Sequence, residues 1–146
     1  MKLFFLLAAF GLVSCGSPET LRVRQFHLQD TEISDGHPFI RAEMSKRLYG
    51  AVTLEERNLR RGNYYHLHWR GLSGKEPVRV VFDYRQARTA SRIMTRKVEA
   101  GRSKKGECEI VVNGLKYLRD GHVSSWRVRL YEGDKLVGIK KSFLWE

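Results

Sequence analysis

The feature that most limits this chain is a two-residue hydrophobic period that returns, segment after segment, from Leu21 towards the C-terminus. Successive side chains of a strand point to opposite faces, so this period describes half-buried β-strands rather than helices. Tyr65, Leu67 and Trp69 share one face of the segment 64–69, and His66 and His68 share the other. Val78, Val80, Phe82 and Tyr84 alternate with Arg79, Val81, Asp83 and Arg85. Cys108, Ile110 and Val112 line one face of a later segment, and Trp126, Val128 and Leu130 oppose Arg127, Arg129 and Tyr131. Leu136–Trp145 follows Glu132-Gly133-Asp134, a hairpin turn signal.

The remaining segments are read less directly. Leu21 and Val23 with Phe26 and Leu28 suggest a first strand carrying a bulge. Residues 30–37, rich in Asp, Ser and Gly, read as a loop. Phe39-Ile40 and Leu48–Val52 suggest further extended segments, and Ser91–Glu99 a strand anchored by Ile93 and Val98. Thr53-Leu54-Glu55-Glu56 has the spacing of a capping box. With the Glu56–Arg60 pair four residues apart and Gly62 as a stop, it predicts a short helix over 54–61.

Seven or eight short strands and one short helix predict an all-β, antiparallel sandwich over residues 21–146. The spacing resembles immunoglobulin-like and fibronectin type III-like domains. That resemblance implies an inward Trp69 on a central strand and Trp126 as a second core aromatic. The chain departs from true immunoglobulin domains because it has no second core cysteine to pair with Cys108. Cys108, flanked by Glu107 and Glu109, reads as a small buried hydrophobe and not as a reactive thiol. A chain of 146 residues suits one such domain.

The N-terminus has a different character. Lys2 precedes an uncharged apolar run, Leu3–Val13, too short for a bilayer span and of the length of a secretory leader. Leu12-Val13-Ser14-Cys15 resembles the lipobox of bacterial lipoproteins. The resemblance implies a signal peptide over 1–14, cleavage after Ser14, lipidation of Cys15 and a lipidated tether over 15–20. Gly16, standing where an Asp retains such proteins at the inner membrane, favours the periplasmic face of the outer membrane. Two or three acyl chains hold a protein firmly where one does not.

Candidate chemistry is sparse. No G-x-S-x-G, H-E-x-x-H, P-loop or C-x-x-C pattern occurs, so the expectation is a non-enzymatic protein without a cofactor. The formal net charge is +11. Eight bases cluster in 85–105, namely Arg85, Arg88, Arg92, Arg96, Lys97, Arg102, Lys104 and Lys105, against the single acid Glu99. Such a stretch protects a sheet edge from aggregation, and it also suits an anionic partner. Export argues against nucleic acid and leaves anionic lipid headgroups, acidic polysaccharide or an acidic protein. A second reading is a metal-binding envelope protein or metal-dependent enzyme that uses the H-x-H pair His66 and His68, with His27, His122 or Asp83 as a further ligand.

Overall fold

A computed structural model of the chain describes residues 19–31 and 36–146; the proposed leader and Cys15 lie outside the described residues. Seven strands form two antiparallel sheets. β1 (Leu21–Leu28), β2 (Gly62–Arg70) and β5 (Lys105–Asn113) make the first, in the order β1-β2-β5. β3 (Pro77–Gln86), β4 (Met94–Arg102), β6 (Val123–Glu132) and β7 (Lys135–Lys141) make the second, in the order β4-β3-β6-β7. The chain crosses between sheets after β2, β4 and β5, which is the Greek-key order of an immunoglobulin-like sandwich with β4 beside β3.

The period-two faces meet between the sheets. Tyr65, Leu67 and Trp69 of β2 face Val78, Val80, Phe82 and Tyr84 of β3, all buried, with Ile110, Val112, Val128 and Leu130 closing the core. Tyr65 and Phe82 pack as tilted rings with centroids 4.7 Å apart, and Trp126 meets the Tyr65 ring edge-on at 5.6 Å. The Trp126 indole N–H donates to Gln25 Oε1 at 3.0 Å, so its polar edge is satisfied at the sheet rim. Cys108 packs against this core, and burial pushes its thiol up to about 11, as suits a small apolar filler.

The irregularity in β1 is a change of face rather than a bulge. β1 runs in unbroken register with β2, Leu21 opposite Trp69 and Leu28 opposite Gly62. Leu21 and Val23 therefore point into the sandwich, while Phe26 and Leu28 point out. The outward pair is buried because a helix lies over it. α1 (Pro38–Leu48) places Met44 and Leu48, one turn apart, on Leu28, Tyr64, Phe26 and Val111. Phe39-Ile40 and Leu48–Val52 are thus not extended segments. Pro38 at the first helical position and the His37 ring, which accepts the Phe39 N–H at 3.3 Å, start a helix there.

The helix predicted over 54–61 is α2 (Leu54–Arg60), complete with its capping box: Thr53 Oγ1 accepts the Glu56 N–H and Glu56 accepts the Thr53 N–H. Arg61 ends it, and Gly62 opens β2. A third helix, α3 (Gly114–Asp120), joins β5 to β6 and buries Tyr117. The single short helix expected from the sequence is therefore one of three among the described residues. Ser91–Ile93 lie in the β3–β4 turn, with Ile93 exposed; Met94, Val98 and Ala100 are the residues of β4 that reach the core. β7 stops at Lys141, and the chain turns back to bury Trp145.

Packing requires glycine at Gly62, against the Val112 carbonyl, and at Gly106. Gly106 sits under the Trp69 indole, where an added Cβ would come within 2.5 Å of Cζ2, whereas Gly101 has open space. Gly106→Ala is expected to destabilise the domain by about 1–3 kcal/mol in urea unfolding, through overpacking. Gly101→Ala is expected to leave the midpoint nearly unchanged; equal effects of the two changes would contradict this packing.

Candidate functional site

The inward face of β2 decides what its outward face presents. With Tyr65, Leu67 and Trp69 committed to the core, Tyr64, His66, His68 and Arg70 must face out. Register then builds cross-strand rows. Arg24, His66 and Glu109 form one row, and Arg22, His68 and Glu107 the next. His68 Nδ1 lies 3.2 Å from Glu107 Oε2, and His66 Nε2 lies 4.0 Å from the same oxygen. The two imidazoles meet edge-on with centroids 4.7 Å apart.

The other nitrogen of His66 turns the opposite way. Nδ1 is 3.9 Å from Glu109 Oε1, shielded from solvent and without a hydrogen-bond partner in the protein. Arg47, projecting from α1 with a side chain only 10% exposed, pairs with Glu109. It also pairs with Glu43 at 3.4 Å and stacks over the Tyr64 ring at 4.3 Å. The helix that covers the apolar end of the sheet thereby holds the carboxylate that His66 faces. Beside His68 and Glu107 opens a groove of about 550 Å³, flanked by Arg22, Arg24, Arg70 and Lys105.

None of the further ligands considered from sequence reaches this place. His27 stands at the α3 end of the sandwich, with Nε2 2.7 Å from the Tyr117 hydroxyl and its ring 5.8 Å from His122. Asp83 lies on the outer face of the other sheet. The groups that do converge, Glu107 and Glu109, read in sequence only as neighbours of Cys108. Their alternation on β5 matches that of the histidines on β2, yet only the register shows that the two alternations coincide.

The eight bases of 85–105 do not make one patch. Arg85 and Lys97 lie on the outer face of the four-stranded sheet. Arg88 and Arg92 sit in the β3–β4 turn, where Arg88 donates to the Leu118 carbonyl of α3 at 3.0 Å. Arg96 reaches the seam between the sheets, near Glu109, Arg47 and Arg60. Arg102, Lys104 and Lys105 occupy the opposite end, at the β4–β5 turn.

A basic face forms from two of the eight, Arg85 and Lys97, joined by four bases from outside the stretch, with Glu99 opposite Arg79 among them. Arg79, Arg85, Lys97, Arg127, Arg129 and Lys141 share the outer face of the four-stranded sheet. Trp145 packs there between Arg85 and Arg127, with guanidinium carbons 4.4 and 5.0 Å from its ring. Asp83, its side chain 4% exposed, neutralises the centre: Arg127 and Arg129 each donate to Oδ2 at 2.9 Å, and Thr95 donates to Oδ1 at 2.7 Å. Burial alone would raise this carboxyl, but the Thr95 hydroxyl and the two guanidiniums outweigh it and hold it below the usual value.

No family model, curated protein or solved structure matches this chain. Its chemistry must be argued from these two faces.

A depressed folded pKa stabilises the fold at pH values above the unfolded-chain value, about 3.9 for Asp, and that contribution vanishes as pH falls through the folded value. Asp83→Asn is expected to cost about 1.5–3 kcal/mol near neutral pH. In urea unfolding across pH, the gap between the two proteins should close in acid. A gap that stays constant down to the acid limit would contradict the pairing.

Proposed function

We propose that this chain is a lipid-anchored protein of the bacterial cell envelope, without enzymatic activity, whose sandwich binds an anionic envelope partner through its basic surface. The leader and the Leu12-Val13-Ser14-Cys15 motif support the anchor and an outer-membrane, periplasm-facing location. Among the described residues no helix is long and apolar enough to cross a membrane.

The observation that carries the reading is the end of the sandwich at which the chain enters. The Arg70 N–H donates to Thr20 O at 3.0 Å, and the Leu72 N–H donates to Lys104 O at 3.1 Å. Residues 19–20 therefore lie at the same end as the β2–β3 connection and the β4–β5 turn. Arg70, Lys75, Arg102, Lys104 and Lys105 are exposed at this end. A tether over 15–20 reaches about 20 Å at most, so a lipidated Cys15 holds these bases close to the bilayer. Each is worth about 1 kcal/mol near an anionic surface. The face carrying Arg79, Arg127 and Arg129 stands to the side of that end, available to an acidic protein or polysaccharide.

Two measurements test this. The N-terminal peptide of protein extracted from bacterial membranes is expected to begin at an acylated Cys15; an intact Met1 or an unmodified thiol would overturn the anchor. Residues 19–146 are expected to sediment with phosphatidylglycerol vesicles in a salt-sensitive way. The triple change Arg102→Glu, Lys104→Glu and Lys105→Glu should weaken retention by tenfold or more, at about 1 kcal/mol per base removed. Equal retention of the triple variant would remove the membrane-facing role of that end.

A further inference from the structure

We propose that His66, His68 and Glu107 form a binding site for a divalent transition metal, zinc above all, on the outer face of the three-stranded sheet. The site does not depend on the anchor or on an anionic partner. Three donors of the right kind converge: one nitrogen from each histidine and one oxygen of Glu107 lie within 4.8 Å of one another. A tetrahedral zinc with bonds of about 2.0–2.1 Å sets its donors about 3.3 Å apart. The His68 Nδ1–Glu107 Oε2 separation of 3.2 Å already meets that spacing, and His66 Nε2, 4.0 Å from the same oxygen, must move closer to meet it. All three residues stand on adjacent central and edge strands, so the backbone is fixed and only χ angles need to adjust.

The second observation is the surroundings of His66. A metal-bound imidazole almost always turns its other ring nitrogen to a carboxylate or carbonyl, which fixes the tautomer and raises the basicity of the ligand. His66 has the partner for that arrangement in place before any ion is considered, although no hydrogen bond yet joins Nδ1 to it. Nε2 points to Glu107, and the shielded Nδ1 faces Glu109 at 3.9 Å. Arg47 in turn holds Glu109 from α1. A pair of solvent-facing histidines with no further role needs no such backing. The helix, the arginine and the second glutamate form a supporting shell behind one ligand.

The charge balance also fits. Arg47 offsets Glu109, leaving Glu107 as the anionic ligand beside two neutral imidazoles. Imidazole and carboxylate together suit zinc, copper or nickel rather than magnesium or calcium. Three protein ligands leave the fourth position to water, on the side of the groove that Arg22, Arg24, Arg70 and Lys105 flank. Glu19 lines the same groove and pairs with Arg22 at 3.7 Å, and the remaining excess of positive charge favours an anion as the fourth ligand. Of the two candidate residues read from sequence, both are used, and Glu107 supplies the third donor that the sequence left open.

The test is calorimetric titration of the full chain with zinc chloride, paired with proton–nitrogen NMR of the imidazoles. One equivalent of zinc is expected to bind, with His66 metallated at Nε2 and protonated at Nδ1. His68→Ala and Glu107→Gln should each weaken binding by tenfold or more. Glu109→Gln, which touches no metal, should weaken it by about 10–100-fold and mobilise the His66 ring. His122→Ala, at the far end of the sandwich, should change nothing. All four positions are at least partly exposed, and unchanged melting temperatures of the metal-free variants will show that folding is intact. No stoichiometric binding, or binding that survives Glu107→Gln and His68→Ala, would overturn the site. A loss that His122→Ala reproduces would do so as well.

Discussion

The structure depends on the burial of one face of β2. Tyr65, Leu67 and Trp69 point into the sandwich and make the contacts that hold the two sheets together, while β1 and β5 take their register from the same strand. Burying three large side chains is worth several kcal/mol, at about 1.5–3 kcal/mol each. A one-residue slip would send His66 and His68 into that core instead. The apolar face thus determines which polar groups reach the surface and what they meet there. The rows Arg24–His66–Glu109 and Arg22–His68–Glu107 are a consequence of packing on the other side of the sheet.

The two outer faces solve different electrostatic problems. On the four-stranded sheet an excess of arginine is managed by one buried carboxylate and by stacking, with Asp83 between Arg127 and Arg129 and Trp145 between Arg85 and Arg127. That arrangement leaves a positive surface able to meet an anion. On the three-stranded sheet the charges alternate in sign across the strands, and α1 shields one end of the rows. The result is a local cluster of donors rather than a broad field. The proposed contact with a large anionic partner and the proposed coordination of a small cation therefore fall on opposite faces of one sandwich.

Strands with a clean two-residue period were legible in the sequence, because one buried face forces alternation. β2, β3, β5 and β6 show it, and so does the capping box of α2, whose signal lies within four residues. The miss at α1 has a physical reason. Its buried residues, Met44 and Leu48, are only two, and the apolar Phe39 and Ile40 of its first turn stay exposed. The change of face within β1 belongs to the same cause, since Phe26 and Leu28 are apolar for the sake of a helix that local pattern did not reveal. The histidine pair was visible, but Glu107, Glu109 and Arg47 were not. Their proximity comes from strand pairing and helix docking across 39–62 residues of chain, which no local spacing encodes.

The most direct test of this account is the register of β2 against β5, read from cross-strand nuclear Overhauser effects in the isotopically labelled full chain. The account predicts that Leu67 pairs with Cys108, His66 with Glu109 and His68 with Glu107. A pattern that sets either histidine directly opposite Cys108 in place of Leu67 would put the imidazoles and carboxylates on different faces, and the constraint behind the histidine–glutamate rows would fail.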